Sequence, residues 1–536
     1  MQAGIDRAKT GISYFPSWRV IVRSAWLRIV FGFLLIAAAL ALLWAPLAPQ
    51  RLFDFDSANF ALALETFNPS LHLPQPPGYP LYVGLTRVIY FFAGDAVLAF
   101  LIAGILAAAA AVLMLERLTT RMFGRTAGIC AALLLITNPI LWQAGMIDQV
   151  RVYLAVISTT VAFLLWPLWQ NPLKSRQFVW ACLLLGFLAG FRQETLFSLT
   201  PLLAITGLRA RLFFRQWMSG GIALLAGVAP WLIVLIAGMG GYHAFAAEMQ
   251  RYAHEQGGNS SLLLGASFSG EWKMFRGAMW WLSLSLAAWS PALLAVLLTK
   301  LFRRSNSPAR DGAQQFFFLL AWFVPQFLFS VIIHIAAAGH ALGFLPPLCA
   351  AGGWTLSRLS ALAKGKVTIA CMLLALALNV RFFLHPYATG TAEASYKMIR
   401  YNSNLISTTL DRIDALTTAP GVYLIDYNGW VTWRILEYYY PSTPLLHLPD
   451  PGANAAEPAW LIEQKLVLQT YASTDDMQLP ACGTLLWLVR DNQVRQTLLG
   501  TPGAEDADNF VMIPARPGMS FQVGRYRLTT STQPCK

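Results

Sequence analysis

The sequence is 536 residues long, 56% hydrophobic and only 12% charged, with a mean hydropathy of +0.52. A soluble globular chain is about one quarter charged, so this balance excludes an ordinary soluble domain. Apolar runs near 20 residues recur along the chain, and about 20 helical residues cross the hydrocarbon core of a bilayer, which predicts a polytopic α-helical membrane protein. The formal charge of +13 would suggest nucleic acid in a soluble protein, but no RNA- or DNA-binding motif is present, and basic cytoplasmic loops account for the excess.

The N-terminus is basic, like the first region of a signal peptide. The run from Ile29 to Leu47 is too long for a signal core and no small-x-small cleavage site follows it, so it reads as a retained first span. Eleven spans are predicted, at about 25–48, 96–116, 127–144, 150–168, 177–191, 195–208, 217–240, 277–300, 315–335, 341–358 and 367–384. The two short ones at 177–191 and 195–208 flank Arg192-Gln193-Glu194. The segment Pro80–Phe92 is too short to cross and reads as a helix at the interface. With the N-terminus inside, the segments 116–125, 171–177, 209–216, 300–310 and 357–366 are all cytoplasmic and all basic. The outer segments, 49–95 foremost, hold most acids of the membrane part, and an odd count puts the tail outside.

These spans divide the chain into a membrane domain, 1–384, with a first outer loop at 49–95, and an extracytoplasmic α/β domain, 385–536. In the tail, GVYLIDY (421–427), TLLWLV (484–489) and GRYRLTT (524–530) read as strands. A helix follows the first, with Asn428 as its cap and Pro441 as its stop. Strand-then-helix order argues for a layered sheet. The six cysteines show no metal spacing. Four lie in apolar runs; Cys482 and Cys535 lie outside them, where an oxidising compartment would let them pair or leave two free thiols.

The stretch Arg51–Tyr82 carries Asp54, Asp56 and Glu65 and ends in Gln75-Pro76-Pro77-Gly78-Tyr79-Pro80. DSANFALALETF has a helix pattern. Asp56 reads either as its N-terminal cap or as a general base that takes a proton from a hydroxyl nucleophile, and Asp54 suits either job. Glu65 falls on the wet face. The prolines fix φ and remove amide donors, which makes a rigid platform beneath the acids, and Tyr79 suits a membrane interface.

Other polar residues fall on the same side. Asp148, Gln149 and Arg151 stand at the outer ends of the third and fourth spans, and Arg192, Gln193 and Glu194 between the fifth and sixth. Tyr242, His243, Arg251, His254 and Glu255 occupy the long outer loop, and His334 and His340 flank the ninth and tenth spans. Ionisable groups at membrane depth are costly and face a cavity or a partner. Arg192 has the fork that holds a phosphate, or it pairs with Glu194 or Asp148. His340 is either a donor to a phosphate or sugar hydroxyl, or structural. No P-loop, nucleophile elbow or His-rich cluster is present.

An Asp-Ser-x-x-Phe helix followed by Pro-Pro-Gly-Tyr-Pro resembles the first loop of the GT-C superfamily of integral membrane glycosyltransferases, in its protein O-mannosyltransferase-like branch. The segments 123–144, 186–201 and 339–348 are similar to that family as well. Gln75 stands where that branch often has His, and the adjacent Asp-Glu pair of the lipid A aminoarabinose transferase branch is missing. The resemblance implies inverting transfer of a sugar from a polyprenyl-phosphate donor to an acceptor hydroxyl at the outer, periplasmic face, in a bacterial inner membrane. It gives Asp56 the role of base, with Asp54 second. Tyr79, Gln75, Asp148, Arg151, Arg192, Glu194 and His340 are the substrate-binding candidates. The acceptor is a glycan, lipid or protein that the sequence does not specify. No cofactor is required, although Asp54 and Asp56 are a pair that could take a divalent ion. The alternative class is a transporter or flippase of lipid-linked sugars, in which acids serve as coupling sites, commonly near span centres.

Overall fold

The computed structural model describes residues 18–147, 150–261, 267–302, 312–332, 337–386, 394–417, 421–448, 476–507 and 509–533. The membrane part is built from α1 (Trp18–Trp44), α2 (Phe55–Ala63), α3 (Pro80–Ala93), α4 (Ala96–Phe123), α5 (Arg125–Ile136), α6 (Pro139–Met146), α7 (Val152–Gln170) and α8 (Arg176–Leu188). It continues with α9 (Glu194–Arg209), α10 (Phe214–Gly238), α11 (Tyr242–Ser260), α12 (Phe268–Ala287), α13 (Ser290–Phe302), α14 (Ala313–Ile332) and α15 (Leu345–Leu384). Among the described residues six helices are long and apolar enough to span, or eight if the bent pairs α5–α6 (54°) and α12–α13 (62°) each count as one. Side chains such as Phe31, Leu42, Phe91, Phe92 and Leu225 stand uncovered on the outside. Apolar surface of that extent belongs against lipid, so the chain is an integral membrane protein.

The helices pack through small residues. A Cβ on Gly186 of α8 would lie 2.2 Å from the Leu224 carbonyl, and one on Gly227 of α10 would lie 2.4 Å from that of Leu183. Only glycine lets those two backbones touch, and in lipid close van der Waals approach is what drives helix pairing. The 40-residue α15 covers two of the predicted spans, 341–358 and 367–384. Gly353 packs on Ala127, while Asn379 donates to Thr137 Oγ1 at 3.1 Å. A straight helix would part Gly353 from Asn379 by about 39 Å, against about 15 Å between their two partners along α5. The element therefore folds back, and both its legs flank α5.

Polar character is divided between the helix ends. Arg121 sits over the Phe163 ring at 3.9 Å and Arg209 over Trp169 at 4.7 Å, which gathers the basic C-terminal ends of α4, α7 and α9. The opposite ends of the same helices meet the first loop: Phe100 of α4 and Tyr153 of α7 both touch Tyr82.

After α16 (Tyr396–Thr417) comes a small α/β domain with β1 (Val422–Tyr427), α17 (Trp433–Tyr439), β2 (Leu445–His447), β3 (Asp476–Leu479), β4 (Thr484–Val489), α18 (Asn492–Leu499), β5 (Glu505–Asp506), β6 (Val511–Pro514), β7 (Ser520–Val523) and β8 (Tyr526–Thr530). One sheet has the order β2-β1-β4-β6-β5, with β1 parallel to β2 and β4; the other has the order β3-β8-β7. The helix after β1 starts later than expected. Asn428 adopts a left-handed φ of 52° in the turn, and Thr432, without a side-chain bond, stands at the N-cap. The chain needs the intervening turn to carry Trp433 back toward the membrane part. Cys482 is disulfide-bonded, whereas Cys535 lies outside the described residues.

Candidate active site

The first loop is organised by α2, and of the two aspartates the sequence left open as its cap it is the first that takes the role. Asp54, not Asp56, is the N-cap: its carboxylate accepts from Ser57 N at 2.8 Å, and Ser57 Oγ accepts from Asp54 N at 2.8 Å. This reciprocal box satisfies two of the donors that every helix N-terminus leaves open. The helix starts at Phe55 because Asp-x-x-Ser supplies both halves of the box two residues earlier than a cap at Asp56 would. Asp56 is thereby left inside the first turn with no hydrogen bond to any described residue. The helix dipole favours its charge there.

Both carboxylates are half-buried, and desolvation is the main force on them. Asp54 is pushed up to about 6 by burial and then by the neighbouring Asp56, against the Ser57 bonds and the charge of Arg151. Burial also raises Asp56, opposed first by Arg151 and then by Arg192. Two guanidinium groups are thus close enough to act on Asp56, which suits an anion beside it better than a cation. Among the described residues no three His, Cys, Asp or Glu side chains gather as a metal set.

The prolines and the glycine hold the next part in place. Gly78 has a φ of +98°, and a Cβ there would meet Leu235 of α10 at 2.6 Å and Pro69 at 2.7 Å. The turn is wedged, and it delivers Tyr79 in a left-handed conformation (φ 46°) at the start of α3. A bulky residue holds that backbone only when its surroundings impose it. Those surroundings are an aromatic floor: Phe60 of α2 lies 5.6 Å from Tyr79 and 5.0 Å from Tyr82, and Tyr153 stacks on Phe191 at 4.3 Å. Leu81 N donates to the carbonyl of Gly190 at 3.1 Å, tying α3 to the chain two residues before Arg192.

Arg192 is 3% exposed. It donates from Nη2 to Glu194 Oε2 at 2.7 Å and from Nη1 to the Tyr79 hydroxyl at 3.3 Å. His340, on a short 3-10 turn at 338–342, places Nδ1 3.4 Å from Glu194 Oε1 and 3.5 Å from Arg192 Nη2. That turn is fixed from below: Ser158 Oγ donates to the Gly343 carbonyl and accepts from Trp322 and Gln326. Burial raises the Tyr79 phenol, and Arg192 opposes it.

The structure therefore brings together Asp54, Asp56, Tyr79, Arg151, Arg192, Glu194 and His340, drawn from four separate parts of the sequence. Gln75 lies in the same loop, its Oε1 buried without a hydrogen bond to a described residue. Asp148, Gln149 and His334 lie outside the described residues. Tyr252 of α11 was not singled out by the sequence, yet its hydroxyl feels Tyr79, Arg192, Asp56 and Glu194. It is one aromatic among many in a long outer segment, and only tertiary placement distinguishes it. Glu65 is exposed beyond the end of α2.

ArnT from Cupriavidus metallidurans, bound to undecaprenyl phosphate, superposes over 90% of this chain and 97% of its own, with a TM-score of 0.57 and 13% identity. The chain has the ArnT fold. The same protein in the apo state aligns over 92% and 98%, with a TM-score of 0.55 and 14% identity. The apo oligosaccharyltransferase of Archaeoglobus fulgidus aligns over 82% and 66% with a TM-score of 0.40 and 14% identity, too loosely to bear on the fold. No protein-family model and no curated protein sequence matches the chain. The likeness to ArnT thus rests on architecture: a helical membrane part followed by a small C-terminal sheet domain. It covers nearly the whole of both chains and selects no branch within that fold.

Proposed function

We propose that this chain is a GT-C glycosyltransferase that moves a sugar from a polyprenyl-phosphate donor to an acceptor hydroxyl, with inversion, at the outer face of a bacterial inner membrane. The observation that carries the reading is the pairing of roles in the first loop. Asp54 is spent on the helix cap, while Asp56, two residues further on and without a hydrogen bond to a described residue, stands within the influence of Arg151 and Arg192. Membrane residues 1–384 supply this site, and residues 385–536 form the extracytoplasmic domain. The undecaprenyl phosphate bound by ArnT, the protein whose fold this chain shares, supports a polyprenyl-phosphate donor.

In this reading a polyprenyl-phosphate leaving group remains in the membrane with its phosphate at the helix ends. Arg192 and Arg151 offset the charge that grows on the phosphate oxygens as the anomeric C–O bond breaks. Asp56 accepts the proton of the acceptor hydroxyl, whose oxygen forms the new bond opposite the phosphate. Glu194 and His340 hold Arg192 in one orientation, and Tyr79 fixes its other nitrogen. Polyprenyl phosphate leaves as the second product.

The test is transfer or hydrolysis by purified protein from a panel of undecaprenyl-phosphate sugars, compared with Asp56→Asn. Loss of turnover with retained lipid-phosphate binding supports the assignment. Full transfer by Asp56→Asn overturns the base, and movement of the lipid-linked sugar across vesicles without transfer makes the chain a flippase instead.

A further inference from the structure

The C-terminal domain sends one charged residue into the membrane part. Arg434 of α17 is 0% exposed. Its Nε donates to Asn59 Oδ1 of α2 at 2.8 Å, its Nη2 to the Leu71 carbonyl of the first loop at 2.9 Å, and its Nη1 to Glu437 at 2.8 Å. The guanidinium also lies over the rings of Trp433 (4.4 Å) and Phe55 (6.0 Å), and those two rings meet edge to face at 5.9 Å. Trp433 is backed by His447, stacked at 5.3 Å, whose Nδ1 is 2.8 Å from the buried Asp426. A chain of contacts therefore runs from the ends of β1 and β2 to α2.

Asp56 and Asn59 are three residues apart on a nine-residue helix and so share a face. A helix that short has little stability of its own, and its orientation comes from what grips it. The cap box grips its first turn and Arg434 its middle. A guanidinium only donates, so the Asn59 oxygen must turn to Arg434 and the amide nitrogen elsewhere. That nitrogen is buried and has no hydrogen-bond partner among the described residues.

We propose that Arg434, acting through Asn59, is a positioning residue for Asp56, so that the C-terminal domain completes the active site. The inference rests on Asp56 being the base, but its test reads the carboxyl directly and needs no sugar donor. The groups that face Asp56 are Asp54, Arg151 and Arg192, with Tyr79 and Tyr252 beside them. The full-length protein in detergent is treated with dicyclohexylcarbodiimide across a pH series, and labelling of Asp56, which requires its protonated form, is followed by fragment mass spectrometry.

Arg434→Gln and Asn59→Ala are each expected to move the labelling midpoint of Asp56 upward by about half a pH unit or more, because α2 loses its grip and the carboxylate drifts from the Arg151 and Arg192 charges that favour its ionised form. The double variant should move it no further, and Arg434→Lys should fall between. Arg51→Gln, which breaks the exposed interdomain contact to Asp411, should leave the midpoint in place. If Arg434→Gln does not fold, Asn59→Ala alone decides. An unchanged midpoint in folded Asn59→Ala, or equal shifts in Arg51→Gln, overturns the proposal. Transfer retained by Asp56→Asn sinks the base assignment instead, whatever the midpoints do.

Discussion

On one side of the site Arg192, Glu194, His340 and Tyr79 are bonded to one another, and a buried network of Ser158, Trp322 and Gln326 holds the turn that carries His340. On the other side Asp54 is bonded into the helix cap and Asp56 is not bonded to any described residue. The basic side is bonded together; the acid side keeps one charged group outside its hydrogen bonds. A cation that must sit still while charge develops gains from being fixed in advance. A base has to accept a proton during the reaction, and a carboxylate already saturated by donors does so poorly. The contrast between Asp54 and Asp56 repeats this division within three residues.

The largest expected effect separates the two aspartates. Asp56→Asn should lower turnover by roughly 10²–10⁴-fold, the usual contribution of a general base, whereas Asp54→Asn keeps a good cap and should retain most activity. Equal losses in steady-state transfer would erase the distinction. On the basic side, Arg192→Ala leaves Glu194 buried without its guanidinium, a change that costs about 3–5 kcal/mol. Thermal unfolding should show it, and a variant as stable as the parent would mean that the network carries little.

The pH dependence follows from the sign of the shifts. Asp56 is raised, so it holds its proton to higher pH than an ordinary carboxyl near 4. Turnover should therefore fall as pH drops through the range above 4, before an unperturbed carboxylate would titrate. A profile flat down to pH 4 would contradict a buried base. The smallest effect is on stability. Asp54 titrates at about 6 in the folded chain, against 3.8 for its ordinary value. Between those values the folded state holds a proton that the unfolded state has released, so this group's contribution is lost as pH rises through 6. Asp54→Asn removes that penalty and should stabilise the protein by roughly 3 kcal/mol at pH 8 and by close to nothing at pH 4. Melting curves at the two pH values provide the check.

Much of this arrangement was legible because the residues concerned are out of place in an apolar sequence. Acids and prolines in the first loop, and an Arg-x-Glu between two short apolar runs, stand out against lipid-facing neighbours. The pattern DFDS offers two caps, Asp54 and Asp56, and it is the box closed by Ser57 at the third helical position that selects Asp54. The element Leu345–Leu384 folds back on itself, so the two stretches expected at 341–358 and 367–384 correspond to its two legs, and the basic polar stretch between them is what marks the division in the sequence. Arg434 left no trace in the sequence. Its partners Asn59 and Leu71 lie 375 and 363 residues away, and no local pattern marks an arginine destined for the interior.

That separation has a consequence for how the protein is made. At about 5–20 residues per second of synthesis, the ribosome needs roughly 20 s to a minute to go from Asn59 to Arg434. For all of that time α2 lacks the residue that grips its middle. A nascent chain thus carries its acids long before they are set in place, and the work of assembly ends with the C-terminal domain rather than with the last helix to enter the bilayer.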